Sequence, residues 1–482
     1  MGRRFKCIKI LLISPFTVHK GKPGVLWLPL GLSFIAAVLR REGRQVAIYD
    51  RFSMQNVLGP DRQKVNAAML RKIKEFEPDW IGLNTLSPLI YDTVECVSLI
   101  RQVFAGPVIA GGHHATVVPE LTLRKIPGLN GLVQGEGELA MTLLANGVNP
   151  AAVPGVWWRK ENNGLVNTSP EQIKDLDSLP FPQFDLLDMA FYTRPTLSTV
   201  RGYYLSTVSL LASRGCAQNC DFCTESTTYG KGVRFHSPEY VVDWMKKMIS
   251  DYNIEGIYFH DNNFLLNQGW AGEICERILA DRLEKKVKWA IQARADCINR
   301  DILKLLKRAG CVKIEIGAET SSQRQLNSVN KKTTVQVNEK AITLCKIEKI
   351  NVHANIIAGF EQETASDLDE KLQWLKRVKP DTISVFPLNI NPGTVLYQRR
   401  GNSFFEKNEW TKINIEEYYL KNEHVPGLTR AELNQWLKRS ANPHNKWRRR
   451  INIIKVNPTG KLLWLIGRKV KTYLLNHMGR EG

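Results

Sequence analysis

The chain has 482 residues, 43% of them hydrophobic and 24% charged, with a formal net charge of +20. That length points to two or three domains. The composition is that of a globular protein with no low-complexity tract and no apolar run near the roughly 18–20 residues that span a bilayer. The excess of Lys and Arg favours an acidic partner (nucleic acid, an anionic membrane surface or a phosphate-bearing substrate), or else forms a solvated basic surface with no specific partner.

Arg3, Arg4 and Lys6 ahead of apolar residues imitate a secretory signal, but no small-residue cleavage site follows and Ser14-Pro15 cuts the stretch short. A buried strand over 8–13 is the better reading, and it places the protein in the cytoplasm. The apolar spacing then predicts a helix over 30–41 closed by Gly43, a strand over 45–49, a helix over 67–76 and a strand over 80–84. A helix over 91–104, strands over 108–110 and 131–134, and a helix from Glu138 follow. This alternation is that of a doubly wound parallel sheet, whose ligands bind outside the carboxyl ends of the strands. Those ends carry Ser14-Pro15, Asp50, Thr85-Leu86-Ser87, Gly111-Gly112-His113-His114 and Gly135-Glu136-Gly137-Glu138.

Residues 156–158 and 164–166 flank Asn162-Asn163-Gly164 as a small hairpin, and Leu179-Pro180-Phe181-Pro182 suits a linker. A second alternation places strands over 209–212, 256–260, 288–292, 313–317, 351–358 and 382–388, with helices over 238–250, 271–283, 300–309 and 335–346. Six such units fit a partial (β/α)6 barrel with its active site at the strand C-termini. The expected class is therefore α/β, divided into a doubly wound domain (1–150), a hairpin and linker (151–200), a barrel (201–400) and a mainly helical basic C-terminal region (401–482).

That last region has no acidic residue between Asn445 and Arg480. As a helix, 461–475 would be amphipathic and cationic, with Trp464 and Tyr473 suited to an interface. It fits either the inner, anionic face of a membrane or a helix packed on the barrel with its lysines reaching water. No nucleic-acid-binding module accompanies the charge, so no specific nucleic acid is expected.

Nine cysteines, odd in number and scattered apart from one cluster, argue against a disulfide framework. The cluster reads Ser213-Arg214-Gly215-Cys216-Ala217-Gln218-Asn219-Cys220-Asp221-Phe222-Cys223. Three thiolates on one loop can wrap an iron–sulfur cluster and leave one iron open, as a catalytic centre requires. A zinc site would want a fourth ligand, for which His236 is the nearest candidate, and the polar residues between the cysteines do not suit a buried strand.

Cys-x-x-x-Cys-x-x-Cys, with an aromatic before the last cysteine and just after the first barrel strand, resembles the signature of the radical S-adenosylmethionine (SAM) superfamily. The resemblance implies a [4Fe–4S] cluster on Cys216, Cys220 and Cys223 whose open iron chelates SAM. An electron from a donor such as flavodoxin or ferredoxin then yields a 5′-deoxyadenosyl radical. Further segments resemble that family's SAM contacts: Phe259-His260-Asp261-Asn262, where many relatives have two consecutive acids, and Arg294-Ala295-Asp296, whose Arg294 would reach the SAM carboxylate. Glu319 in Ile316-Gly317-Ala318-Glu319, Gly359 in Ile357-Ala358-Gly359-Phe360, and the turn Asn391-Pro392-Gly393-Thr394 complete the set. The alternative is that the glycines permit turns and that Arg294 and Glu319 form a structural ion pair.

A doubly wound domain ahead of such a barrel resembles the cobalamin-binding radical SAM group, which includes the anaerobic magnesium-protoporphyrin monomethyl ester cyclase and cobalamin-dependent methyltransferases. Gly111-Gly112-His113-His114 and Gly135-Glu136-Gly137-Glu138 carry the likeness, together with Leu28-Pro29-Leu30-Gly31-Leu32. It implies cobalamin bound near Pro15, Ser87, Gly111, Gly112, Gly135 and Glu136. No Asp-x-His-x-x-Gly motif is present, so no histidine ligand to cobalt is expected; the alternative is a domain that has lost the cofactor. Only Cys7 and Cys96 precede Cys216, too few for the second cluster of methylthiotransferases. The function implied is methylation of an unactivated carbon in a small-molecule or lipid-like substrate. The alternatives are an oxidative cyclase or ring-rearranging enzyme, and a non-catalytic cobalamin-binding or redox-sensing protein.

Overall fold

The computed structural model describes residues 8–16, 27–59, 61–162, 164–230, 232–399, 404–407, 409–410, 430–440, 453–454 and 456–457. Strands buried on both faces need unbroken apolar runs, and Lys9–Ser14 (β1) is one: Ile10 and Leu12 join the core on one face, Leu11 and Ile13 the core on the other. With Gln45–Asp50 (β2), Trp80–Asn84 (β3), Val108–Gly111 (β4) and Gly131–Val133 (β5) it forms a parallel sheet of order β2-β1-β3-β4-β5. Strand order reverses between β1 and β3, which opens a crevice at the carboxyl ends. The helices Leu30–Arg41 and Gly137–Ala145 cover one face through Leu32, Ala36, Leu39, Ala140, Met141 and Leu144.

Three features of this half were not expected. The hairpin Val156–Arg159 (β6) and Leu165–Asn167 (β7) is not separate, because β6 pairs antiparallel with β5 and extends the sheet to seven strands. The helix expected over 67–76 begins at Arg62, where Asp61 accepts from the Gln63 and Lys64 amides at 2.9 and 3.3 Å. An additional helix, Arg51–Leu58, has weak periodicity of its own and is anchored by the fully buried Arg51, which pairs with Asp92, Asn66 and Cys96.

The second half begins with Thr207–Leu210 (β8), two residues earlier than the sequence suggested. Ser213–Cys216 (β9) leaves the sheet and pairs with Gly232–Phe235 (β10) as an antiparallel ribbon. Gly256–Phe259 (β11), Lys288–Ala293 (β12), Cys311–Glu319 (β13), Asn351–Ala358 (β14) and Thr382–Pro387 (β15) then add in chain order, all parallel, to a six-stranded curled half-barrel. Alternate residues such as Val208, Phe259, Ile291, Ile316 and Val352 pack under the outer helices. The intervening positions carry Ser209, Gln292, Glu315, His353 and Ser384.

The expected linker is part of this packing: Leu179, Phe184, Met189, Phe191 and Tyr192 are buried with Phe34 and Trp244, and Tyr192 donates to Asp50 at 2.6 Å. Beyond residue 400, Phe405 and Trp410 flank His114, and Trp436 packs on Leu368. The basic stretches 446–450 and 460–478 lie outside the described residues, as does Cys7. Among the described residues, no helix is long and apolar enough to cross a membrane.

Candidate active site

Cys216 closes the β9–β10 ribbon, opposite Gly232. The ribbon requires Gly215: its φ is +97° and a Cβ there would lie 2.4 Å from the Gly232 carbonyl. Beyond Cys216 the chain turns, and the Cys223 amide donates to the Cys220 carbonyl at 3.0 Å before a helix over Glu225–Tyr229. Segment 329–332 holds this turn from beneath. The Asp221 amide donates to the Val329 carbonyl at 3.0 Å, and Asn330 Nδ2 donates to the Asn219 carbonyl at 2.9 Å.

All three thiols are free of disulfides. Burial pushes Cys223 up to about 12, and raises Cys220 against the opposing pull of Lys331 and Arg294. A soft metal displaces such protons on binding. Among the described residues, no three His, Cys, Asp or Glu side chains converge on a point for a single ion. A cuboidal cluster needs no such point, since each thiolate takes its own iron. Three free thiols with cations beside one of them are a donor set that fits such a cluster.

The strand ends around this loop carry the other expected residues. Asp261, after β11, is fully buried and does not face outward: it accepts from the Ala212 amide at 3.1 Å and from the Ser213 hydroxyl, so it pins the chain just before the cysteines. Burial raises its pKa to about 6 against those hydrogen bonds. Its neighbour Asn262 bridges the Gly215 carbonyl (3.3 Å) and Glu225 (2.8 Å).

Arg294 and Glu319 do not pair with each other. Arg294 binds Asp296 at 2.7 Å and donates to the Lys331 and Lys332 carbonyls at 3.2 Å, which ties the turn beneath the cysteines. Glu319 pairs with Lys331 at 2.6 Å, and a Cβ on Gly317 would lie 2.5 Å from its carboxylate. Burial disfavours the Lys331 ammonium, but Glu319 and Cys220 outweigh it and raise its pKa. The Gly359 and Phe360 amides both donate to Glu363, itself paired with Lys371 where both side chains are fully buried.

On the other side, the ends of β3, β4 and β5 open on a cavity of about 380 Å³ lined by Leu86, Gly111, Gly112, His113, Gly135 and Glu136. The barrel contributes Leu211, Arg214, Glu225, His260 and Asn262 to the same cavity. Gly112 has φ +91°, and a Cβ there would lie 2.1 Å from Asn84 Oδ1, so backbone forms the wall where a bulky ligand would press. Ser87 is buried and bonded to His114 Nδ1 at 2.9 Å; neither it nor Pro15 lines the cavity.

The Glu136 and Glu138 carboxylates cross to the ribbon. Arg214 binds Glu136 at 2.9 Å and Glu138 at 2.6 Å, and Arg234 binds Glu136 at 2.7 Å. Burial would raise Glu136, yet Arg234 and Arg214 hold it below the usual carboxylate range. His113 Nε2 lies 2.7 Å from the hydroxyl of Thr224, the residue after Cys223.

Arg234, Thr224 and Lys331 escaped sequence reasoning, and Arg214 and Asn262 entered it within their segments without a role of their own. Arg214 stood beside the cysteines in plain view, but its partners are 76 and 78 positions away, and no periodicity reports that distance.

Residues 210–375 match the family model of the radical SAM superfamily, and residues 17–145 match that of the B12 binding domain. An uncharacterized methyltransferase of Pyrococcus horikoshii is 30% identical over 446 residues, covering 90% of this chain and 92% of that protein. The anaerobic magnesium-protoporphyrin IX monomethyl ester cyclase of Cereibacter sphaeroides is 25% identical, covering 88% of this chain and 68% of that protein. Among solved structures, the radical SAM methyltransferase TsrM from Kitasatospora setae, with cobalamin and [4Fe–4S] cluster bound, shares the fold. It superposes with a TM-score of 0.67 at 18% identity, covering 81% of this chain and 74% of that one.

Proposed function

The chain belongs to the radical SAM superfamily, in the branch that carries a B12 binding domain, and from that membership we propose that it is a cobalamin-dependent methylase of an unactivated carbon in a small molecule. In this reading Cys216, Cys220 and Cys223 hold a [4Fe–4S] cluster and the cavity at the ends of β3–β5 holds cobalamin. The bound groups would supply reductive cleavage of SAM to a 5′-deoxyadenosyl radical, and a methyl group for the carbon from which that radical takes hydrogen.

The protein's own residues bind, orient and exclude. Gly111, Gly112 and Gly135 let the corrinoid meet backbone. Asp261, Arg294 and Asn262 position the cysteine loop, and in this reading Glu319 and Gly359 would contribute to SAM binding from the ends of β13 and β14. The observation that carries the proposal is that one cavity is walled both by the glycine-bearing strand ends and by Arg214, Glu225 and Asn262, which flank the cysteines.

The test is anaerobic reconstitution with iron, sulfide, hydroxocobalamin, SAM and a reductant. About four irons per chain, a bound corrinoid spectrum and release of 5′-deoxyadenosine are expected. With substrate and methyl-deuterated SAM, label appears in the product of a methylase. Unlabelled, ring-closed product would instead favour the cyclase chemistry named for the Cereibacter protein. A flavodoxin or ferredoxin as electron donor, and anionic membrane for the basic tail, complete the proposal. Reduced ferredoxin replacing dithionite, and co-sedimentation with phosphatidylglycerol vesicles, test those two parts.

A further inference from the structure

The ribbon that ends in Cys216 is frustrated by itself. Arg214 and Arg234 stand directly opposite each other across β9 and β10, and like charges in cross-strand register oppose pairing. Their countercharge comes from the other half of the molecule, from the loop after β5 and the first turn of the helix that follows it. Glu136 receives both guanidinium groups at 2.9 and 2.7 Å, and Glu138 receives Arg214 at 2.6 Å. Arg214, Glu136 and Glu138 are nearly inaccessible to water, at 5%, 4% and 6% exposure, so no solvent takes the place of a missing partner. Gln172 adds a bond to the Tyr229 carbonyl, and the Ile173 amide donates to Glu136 at 2.8 Å.

We infer that Glu136 and Glu138 are positioning residues: they make closure of the ribbon, and hence the placement of Cys216, conditional on docking of the corrinoid-binding half. This rests on the function proposed above and deepens it, because it says how the cluster and the corrinoid are held at one separation. The same loop that walls the cavity with Gly135 also neutralises the strand that presents the first cysteine. His113 touching Thr224 is a second tether at the other end of the cysteine segment.

The test compares the wild type with the Glu136→Gln/Glu138→Gln variant in two measurements. In the protein without cofactors, amide hydrogen exchange over 213–216 and 232–235 is expected to speed up by about tenfold or more, while β11–β14 keep their protection. In protein carrying hydroxocobalamin and a reconstituted cluster, the relaxation enhancement that the reduced cluster imposes on the cob(II)alamin spin is expected to weaken. Adding Arg234→Gln to Glu136→Gln removes one charge of each sign and is expected to bring ribbon exchange back towards wild type.

Unchanged ribbon exchange, or exchange that rises equally in both sheets, would overturn the inference. If the double variant does not fold, Glu136→Gln with and without Arg234→Gln decides it on the same exchange measurement. The exchange result needs no bound cofactor. If the wild type takes up neither cluster nor corrinoid, the proposed function fails, while ribbon exchange still decides the role of Glu136 and Glu138 independently.

Discussion

The two parallel sheets present their carboxyl ends differently. In the first, strand order reverses between β1 and β3, and the crevice is edged with Gly111, Gly112 and Gly135, so a ligand there meets backbone. In the second, strands add in chain order and curl, and the ends carry Asp261, Arg294 and Glu319, each already engaged with a protein partner. One site is made by leaving side chains out, the other by locking charged side chains in place. Backbone suits a large, nearly neutral ring system, whereas a redox-active charged centre gains from fixed cations and fixed loops.

The sharpest way to break the contrast is at the cysteines. Cys216→Ala, Cys220→Ala or Cys223→Ala should each reduce deoxyadenosine release to background and lose most of the iron, while hydroxocobalamin retention, a property of the first sheet, stays. Loss of both together would mean that the two sites are not separable. Next in size is the locked charge. Lys371→Met strands a fully buried Glu363 and should cost about 3–5 kcal/mol, read as a lower unfolding midpoint in urea; adding Glu363→Gln should recover much of it.

Buried histidines give a pH signature of intermediate size. Burial, reinforced by His113, depresses His114 to about 3; burial depresses His236 to about 4 against its Asp177 partner. A depressed folded value means the unfolded chain binds the proton more readily, so stability is full well above about pH 6.5 and falls as pH drops, towards 4 for His236 and towards 3 for His114. Between pH 6.5 and 5 each should contribute a loss of roughly 2 kcal/mol. His236→Gln should flatten the slope of stability against pH; an unchanged slope would remove that assignment. The smallest effect concerns backbone recognition. Gly112→Ala forces an L residue to φ +91° against Asn84, and should weaken hydroxocobalamin retention about tenfold with little change in iron content.

Much of this architecture is readable in one dimension. The helix at Leu30–Arg41 and the strands at Trp80–Asn84 and Asn351–Ala358 fall on the expected residues, because unbroken or 3.6-periodic apolar runs are local signals. The ribbon Ser213–Cys216 has no such signal, since a segment of Ser, Arg, Gly and Cys carries no strand pattern and gains its pairing from Gly232–Phe235 and from Glu136. The resemblance names Asp261 and Arg294 only as cofactor contacts. That their side chains also hold the cysteine loop is visible only once Ala212, Ser213 and Lys331 are beside them.

What the amino-acid order determined by itself is therefore the inventory: two α/β alternations, a three-cysteine loop after the first strand of the second, and glycines at the strand ends of the first. Each is written in neighbours a few positions apart. What only the folded chain decided is who neutralises whom. Arg214 with Glu138, Lys331 with Glu319 and Lys371 with Glu363 are choices made by burial, which forbids a lone charge and selects whichever partner the packing brings near.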